Sequence, residues 1–393
     1  MRIPTVRLIG RWLVQPVTDP PIPSRGGQPP AKGTHMTDLR PNRRMVITGA
    51  AAIAAAAVAP SAPAAAATVV TRQPGDAMLP AGSGLPSWVD PNTDLGSRTP
   101  GPEVTWSDSI YFASMVKAGG HDFGVLGHAL AAPNAQGLAG IYAISVTDTT
   151  AGWYKSHSTT LTDEQFHWSQ DKLEIKLPEM TWTGDATRMT VKAAAPWGSL
   201  DAEFVPTGPV MKYAGSGLVK LLDVPNYEYA FPSMRTSGTL VIEGRQHAIT
   251  GTAWLDRQWG PLPQLLRWAW MNLSMPNGDK IAIWDVIGAD VEDCWATVLH
   301  PDGSYELVAV EPLERGASEP WTSPQTGQKY PTRFRVRIPS LRTELDVKVT
   351  GTPAQELVLV AGVRLEATAA FTGTYDGRRV KGEHYIELIG RWQ

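Results

Sequence analysis

The sequence has a single cysteine, Cys294, among its 393 residues. One thiol excludes an intramolecular disulfide and every metal site built from several cysteines. Basic and acidic residues nearly cancel, with 35 Lys and Arg against 38 Asp and Glu, for a formal net charge of −3. Because proteins that bind nucleic acid usually carry an excess of positive charge, we predict no nucleic-acid partner.

Several motifs of catalysis and cofactor binding are also missing. The sequence contains no G-x-G-x-x-G, no phosphate-binding loop, no H-E-x-x-H and no G-x-S-x-G. Their absence removes the usual sequence evidence for dinucleotide binding, zinc peptidases and α/β-hydrolases. The pair nearest to a metal-ligand pattern, His121 and His128, has a non-specific spacing. We therefore predict neither a metal nor a cofactor.

Tryptophan, in contrast, is abundant, with 15 residues against 10 Tyr and 7 Phe. Indole side chains supply large, flat and mostly apolar surface, which suits a small hydrophobic molecule as the partner. The 37 Gly and 33 Pro indicate many turns rather than long helices.

Residues 1–67 are predicted to be a leader and not part of the fold. Residues 1–35 are rich in Pro and Gly and lack a sustained periodicity, so they suggest an over-extended gene start. A leader of ordinary length begins at Met36 and covers residues 36–67.

The segment 36–67 resembles a twin-arginine export signal. Arg43 and Arg44 stand before an Ala-rich apolar run that ends in Ala64–Ala67. Prolines interrupt this run before it reaches the roughly 20 residues of a membrane span. We predict export to the periplasm or the exterior, a mature start near Thr68 and no stable membrane span.

The mature chain is predicted to be all-β. Residues 68–100 are polar and broken by Pro and Gly, which favours an extended arm. Beyond them, stretches such as Lys172–Leu177 and Glu344–Val349 alternate polar and apolar residues. This period of two indicates antiparallel sheets with one buried face and one solvent face. We predict two antiparallel β-barrel or sandwich domains, residues 101–235 and 236–393.

The clearest predicted hairpin has Asn277-Gly278 as its loop. Asn-Gly is the preferred pair of a two-residue type I′ turn, and with this loop Trp270 pairs with Asp285. One face of the hairpin would then carry Trp268, Trp270, Asn272 and Asp285. Indoles beside an amide and a carboxylate predict a cavity that binds an apolar ligand and transfers a proton. The alternative is a solvent-exposed face that carries two tryptophans.

The segment Gly251–Gly260 is dense in aromatic and charged residues. Along a strand, Asp256 shares its side with Trp254, and Arg257 shares its side with Trp259. A carboxylate among indoles loses solvation, which raises its pKa toward the range of an acid catalyst. The alternative is a buried Asp–Arg pair that orients a strand corner.

Five segments in order carry a family resemblance: Tyr227–Pro232, Ser237–Leu240, Gly251–Gly260, Trp268–Trp270 and Val380–Leu388. Together they resemble the carotenoid hydratase (hydroxyneurosporene synthase) and AttH-like lipocalin superfamily, over roughly residues 100–393. The resemblance implies two β-barrel or sandwich domains, the second lipocalin-like, with a ligand between or inside them. Fungal decalin-forming Diels–Alderases are similar in architecture, which adds cyclisation to the possible chemistry.

Two positions depart from the family pattern. Gln258 stands where many relatives have Glu, and Arg257 stands where carotenoid hydratases have His. Because arginine does not exchange protons near neutral pH, Asp256 and Asp285 remain as the candidate acids. The predicted catalytic residues are Asp256, Asp285, Gln258 and Arg257. The predicted substrate-binding residues are Trp254, Trp259, Trp268, Trp270 and Asn272.

Three functions are compatible with these features. The first is an exported enzyme that hydrates or cyclises a polyene, isoprenoid or polyketide-like substrate after protonation by Asp285 or Asp256, with indole faces stabilising the carbocation. The second is a pericyclase without acid catalysis, in which Gln258 or Asn272 hydrogen-bonds a substrate carbonyl. The third is a non-enzymatic lipid carrier. No oligomeric state is predicted.

Overall fold

The structure is a computed structural model and describes residues 87–98, 106–134, 137–263 and 267–392. The regular secondary structure of these ranges comprises β-strands and three short 3-10 helices, Tyr213–Gly215, Leu313–Gly316 and Pro339–Leu341. Within them, no helix is long and apolar enough to cross a bilayer. The predicted leader, residues 1–67, lies outside the described residues.

The strands form two antiparallel sheets. The first sheet contains β1 Trp106–Ala118, β2 His121–Asn134, β3 Gly137–Asp148, β4 Trp153–Leu161, β5 His167–Trp168, β6 Leu173–Leu177, β7 Met180–Asp185, β8 Arg188–Ala195, β9 Gly198–Pro206, β10 Met211–Lys212, β11 Leu218–Leu221, β12 Val224–Ile242 and β13 Arg245–Pro261. The second contains β14 Arg267–Ser274, β15 Lys280–Ile287, β16 Glu292–Leu299, β17 Tyr305–Ala309, β18 Ala317–Thr322, β19 Lys329–Ile338, β20 Thr343–Val349, β21 Glu356–Leu359, β22 Gly362–Tyr375 and β23 Arg378–Ile389.

The prediction of an all-β fold with two antiparallel sheets is confirmed. The chain passes from the first sheet to the second between Pro261 and Arg267. The predicted boundary between residues 235 and 236 falls inside strand β12 of the first sheet. The division into two domains itself stays a prediction.

Each sheet curls around an apolar core of its own. In the first sheet, Phe112 of β1 packs edge-on against Trp182 of β7. The Tyr142 hydroxyl of β3 donates a hydrogen bond of 2.7 Å to the Ala194 carbonyl of β8. These contacts join strands that are far apart in the sheet order, β4-β3-β2-β1-β13-β12-β9-β8-β7-β6-β5. The core of the second sheet includes Met271, Ile283, Phe334, Phe371 and Ile386.

A third apolar cluster lies between the two sheets. Its members come from both sheets and include Tyr111, Trp254, Trp270, Trp284, Trp295 and Tyr385. Each sheet is therefore covered on both faces where this cluster lies. Strand alternation alone had assigned one of those faces to solvent.

The predicted register of the β14–β15 hairpin is wrong by one residue. Trp270 pairs with Trp284, not with Asp285. The loop has three residues, because the Met275 N–H donates a hydrogen bond of 2.8 Å to the Asp279 carbonyl and so closes the hairpin. Of the loop residues Pro276, Asn277 and Gly278, only Gly278 has a positive φ, of 96°. A type I turn followed by one left-handed residue suits this loop, because proline's fixed φ favours the second turn position.

This shift of one residue exchanges the faces of β15. Asp285 now shares a side with Ala269 and Met271, in the core of the second sheet. Trp284 takes its place beside Trp270 on the face between the sheets. Because side chains alternate along a strand, every residue of β15 changes sides with the register.

Candidate active site

Three of the predicted residues project from the first sheet toward the second. They are Trp254, Asp256 and Gln258, alternate residues of β13. Asp256 pairs with Tyr111 of β1, and Gln258 pairs with Glu228 of β12. All five side chains therefore belong to one face, which brings two carboxyl groups next to an indole and a phenol.

On the side of the second sheet that faces the first, five residues on adjacent strands form a row in which each pairs with the next: Glu366, Glu387, Trp270, Trp284 and Trp295. Alternation places Trp268 and Asn272 on the same side of β14. The Trp270 ring meets Trp254 edge-on at 6.2 Å between centroids and Tyr111 at 5.9 Å. The two sheets therefore touch through these aromatic rings.

Asp256 accepts two hydrogen bonds from the part of the chain that forms the first sheet, and one of these donors is bonded in turn to the second sheet. Its Oδ1 accepts the Trp254 indole N–H at 2.7 Å and the Tyr213 hydroxyl at 3.0 Å. The Tyr213 oxygen in turn accepts the Trp270 indole N–H at 3.1 Å. Both bonds to the carboxyl go to Oδ1, so Oδ2 is the oxygen that can carry a proton.

The surroundings of Asp256 favour its protonated form. Burial raises the pKa of Asp256 to about 8, although the hydrogen bonds from Trp254 and Tyr213 oppose the shift. The nearby Glu387 carboxyl raises the pKa further. The group is therefore mostly protonated at neutral pH, as the indole surroundings had predicted.

Three glutamates complete a cluster of buried carboxyls around Asp256. Burial raises the pKa of Glu228 well above its usual range, and the Asp256 carboxyl raises it further. Burial also raises the pKa of Glu366 and of Glu387. Carboxyls packed this closely and this deeply cannot all be ionised, because the charges would lack water and would outnumber the cations beside them.

Arg364 balances part of this cluster. Its Nη1 lies 3.2 Å from Glu387 Oε1 and 3.8 Å from Glu366 Oε1. Arg364 lowers the pKa of both glutamates, which opposes the larger effect of burial. A single guanidinium can neutralise the charge of about one carboxylate, so the site combines one ion pair with several neutral acids.

A neutral histidine lies beside the acids. His128 Nε2 is 2.8 Å from Ser109 Oγ, and the His128 ring meets Tyr111 edge-on at 5.7 Å. Burial, followed by the Arg364 charge, lowers the pKa of His128 to about 3. Two buried polar atoms near the site have no hydrogen-bond partner among the described residues: His128 Nδ1 and Gln258 Nε2. Because buried polar atoms normally need partners, these can bind a polar group of a substrate or a reactant water.

A cavity of about 250 Å³ opens beside this network. Its walls come from both sheets and include Trp254, Met234 and Arg235 of the first and Asn272, Lys280 and Tyr385 of the second. Trp254 belongs to both features, since it lines the cavity and donates to Asp256. A molecule in the cavity therefore lies against the residue that holds the acid.

Arg257 and Trp259 lie on the other face of β13, away from this site. Arg257 is fully buried, with Nη1 2.5 Å from Asp108 Oδ1. Its guanidinium stacks on Trp168 at 4.5 Å and on Trp259 at 4.8 Å, and it donates to the Gly96 carbonyl at 2.8 Å. These contacts attach residues 87–98 to the first sheet. They match the alternative weighed for this motif, a buried Asp–Arg pair, except that the acid is Asp108 and not Asp256.

Asp285 is also remote from the indoles that were predicted to surround it. It is fully buried, and its Oδ2 accepts the Leu313 N–H at 2.7 Å. Burial, with a contribution from Glu292, raises the pKa of Asp285 to about 7. The expected direction of the shift is therefore present, but in the core of the second sheet.

The structure thus brings together six of the nine predicted residues: Trp254, Asp256, Gln258, Trp268, Trp270 and Asn272. It separates Arg257, Trp259 and Asp285 from them. Sequence reasoning missed Tyr111, Tyr213, Glu228, Glu366 and Glu387. Glu228 and Glu387 lie within segments that carry the family resemblance, which was the available signal. The sequence gives no signal for Glu366, because it alternates with apolar residues as an ordinary solvent-facing strand residue does.

Comparisons with known proteins agree with this architecture. An AttH-like family model matches residues 130–391. Kievitone hydratase from Fusarium solani subsp. phaseoli is 25% identical over 211 residues, which cover 50% of this chain and 58% of that protein. The chain thus spans less than two thirds of the length of this relative.

Solved structures share the fold at low identity. A crystal structure of an AttH protein from Nitrosomonas europaea has a TM-score of 0.68 at 20% identity, covering 79% of this chain and 98% of that one. Kievitone hydratase from Nectria haematococca has a TM-score of 0.64 at 18% identity, covering 77% and 99%. Since the AttH-like family model covers two thirds of the chain and solved members share its two-sheet architecture, this protein belongs to the AttH-like family.

Proposed function

We propose that this protein is an acid-catalysed hydratase that adds water to a carbon–carbon double bond of a hydrophobic molecule. The observation that carries the proposal is the buried Asp256 carboxyl, which accepts hydrogen bonds from the Trp254 indole and the Tyr213 hydroxyl beside a cavity that Trp254 lines. Its pKa, raised to about 8, favours the protonated form at neutral pH. An acid that keeps its proton at neutral pH is what alkene protonation requires, and a carrier protein would gain nothing from it. Kievitone hydratase, similar in sequence and fold, supports the same reaction type.

The proposed reaction needs one acid and balances without a cofactor. Asp256 Oδ2 transfers its proton to one alkene carbon, and the other carbon becomes a carbocation. The indole of Trp254, which lines the cavity, stabilises this cation. Water then forms a C–O bond with the cationic carbon, and the excess proton of that water returns to the Asp256 carboxylate. The product has gained H and OH, and the acid is regenerated.

Cyclisation is the second candidate, because it begins with the same protonation. An internal double bond would take the place of water as the nucleophile, as the polyene, isoprenoid or polyketide-like substrates considered above allow. Attack by that double bond forms a C–C bond and leaves a new carbocation, which loses a proton to the Asp256 carboxylate. The acid is regenerated, and the product is an isomer of the substrate without added water.

Isotope incorporation distinguishes these reactions. We expect turnover in D₂O and H₂¹⁸O to place one solvent deuterium on carbon and one ¹⁸O in the product, measured by mass spectrometry. Kievitone, the substrate named by the relative, is the first compound to test, followed by polyenes and isoprenoids. Deuterium without ¹⁸O would indicate acid-driven cyclisation, and conversion with neither isotope a pericyclase. Ligand binding without any conversion would indicate a carrier.

We also propose that the protein is exported through its twin-arginine segment, which lies outside the described residues. Replacing Arg43 and Arg44 together by lysine should keep the protein in the cytoplasm, because the signal depends on the arginine pair. Cell fractionation followed by N-terminal sequencing of the wild type, expected to begin near Thr68, provides the measurement. Unchanged secretion of the double variant would contradict the proposal.

A further inference from the structure

Two cationic side chains stand at one end of the cavity, one from each sheet. Arg235 of β12 pairs with Thr252, which is on the same side of β13 as Trp254. Lys280 of β15 pairs with Ser274, which lies two residues after Asn272 and therefore on the same inward-facing side of β14. Both cations therefore belong to the faces that meet between the sheets, and both line the cavity.

Neither cation forms an ion pair with a described carboxylate. The Lys280 ammonium donates to Ser274 Oγ at 2.9 Å, which uses one of its three N–H donors. Burial lowers the pKa of Lys280, and no neighbouring acid counteracts this effect. Glu383 is the carboxylate among the lining residues, and its side chain is exposed. Two cations thus lie near one exposed acid at this end. Arg235 is exposed, whereas Lys280 is half-buried, and a half-buried charge normally has a charged partner.

The rest of the cavity is about equally polar and apolar, and its apolar part lies mainly on the first sheet. Trp254, Met234, Ala113 and Ala253 form much of its first-sheet wall. The cavity is therefore amphipathic, with unpaired positive charge at one end and an indole at the other. Such a lining matches a hydrophobic molecule that carries one anionic group.

We infer that the substrate of this site is a hydrophobic molecule with an anionic head group, a carboxylate or a phosphate, which Lys280 and Arg235 bind while its apolar part lies against Trp254. This inference rests on the proposed function for the identity of the site. It extends that function by naming the part of the substrate that sets its orientation. A charge-assisted contact at the cavity end would fix which double bond reaches the acid.

Direct binding measurements test the head group without turnover. Retinol, retinoic acid and retinyl phosphate share one polyene and differ at the terminal group, and each quenches tryptophan emission on binding. We expect both anions to bind the wild type at least about tenfold more tightly than retinol. Whichever anion binds more tightly identifies the head group as carboxylate or phosphate. Equal affinities for all three ligands would overturn the inference.

Variants of Lys280 provide the second part of the test. Lys280→Met keeps the length of the side chain and removes its charge, so it should weaken anion binding about tenfold and leave retinol affinity unchanged. Lys280→Arg should retain the preference, since the charge remains. Lys220→Met, at an exposed lysine that does not line the cavity, is the matched control. An unchanged anion preference in Lys280→Met would overturn the inference.

The same titrations on Asp256→Asn separate this inference from the proposed function. This variant should keep the preference for anions, because it leaves both cations in place. If it also kept its catalytic activity, the acid mechanism would fail while anion recognition stood. If the preference were absent from the wild type while Asp256→Asn lost activity, the head-group inference alone would fail.

Discussion

Replacing Asp256 by asparagine should reduce the hydration rate by about 10²–10⁴-fold, the usual contribution of a general acid. Asparagine has the shape of aspartic acid, and its Oδ1 can still accept the Trp254 and Tyr213 hydrogen bonds. It has no proton to give to the alkene. We therefore expect retinoid affinity within about twofold of the wild type, because binding does not require that proton.

The pH dependence should identify Asp256 as the proton donor. Its pKa is raised to about 8, so the acid form predominates below that pH, and kcat/KM should fall about tenfold per unit above it. Stability should follow the same titration. The folded protein holds this proton between about pH 4 and 8, where the unfolded chain has released it, so the free energy of unfolding falls as the pH rises through this range. Asp256→Asn should lack that contribution to the slope.

Asp285→Asn is the matched control for this experiment. Asp285 is also a buried carboxyl with a raised pKa, but it lies in the core of the second sheet. Its substitution should leave the rate and the alkaline limb of the kcat/KM profile unchanged. Full activity of Asp256→Asn, or loss of activity only in Asp285→Asn, would contradict the assignment of the acid.

Replacing Arg257 by methionine should destabilise the protein by about 3–5 kcal/mol, the usual effect of removing one partner of a buried ion pair. The Asp108 carboxylate would remain buried, 1% exposed, without the guanidinium that lies 2.5 Å from it. The stacking on Trp168 and Trp259 and the hydrogen bond to the Gly96 carbonyl would be lost as well. Chemical denaturation monitored by tryptophan fluorescence measures the change.

Arg188→Met provides the comparison for Arg257. Arg188 pairs with Glu203 on the surface at 3.1 Å, and its side chain is 66% exposed, so its loss should cost at most about 1 kcal/mol. A folded Arg257→Met protein with wild-type stability but no activity would contradict the structural role. It would return Arg257 to the catalytic residues that the sequence predicted.

Local patterns in the sequence predicted the fold class well. The alternation in segments such as Lys172–Leu177 depends only on which side chains a strand turns to each side, and the structure has strand β6 at Leu173–Leu177. The side shared by Trp254 and Asp256 follows from the same rule. The hairpin register was less secure, because Pro276, Asn277 and Gly278 suit two loop lengths that differ by one residue. That single residue decided on which face of β15 Asp285 lies.

By itself the sequence determined the antiparallel strands, the family resemblance and the pairing of an acid with an indole on β13. Only the tertiary structure decided that the two strand faces that carry these indoles and carboxyls cover each other. Glu228, Glu366 and Glu387 have the spacing of solvent-facing residues, and strand alternation does not distinguish water from a second sheet as the neighbour. Contact between the sheets removes the water from these carboxyls, which raises their pKa values. The protonated state of these carboxyls therefore comes from the packing of distant segments, which no local pattern encodes.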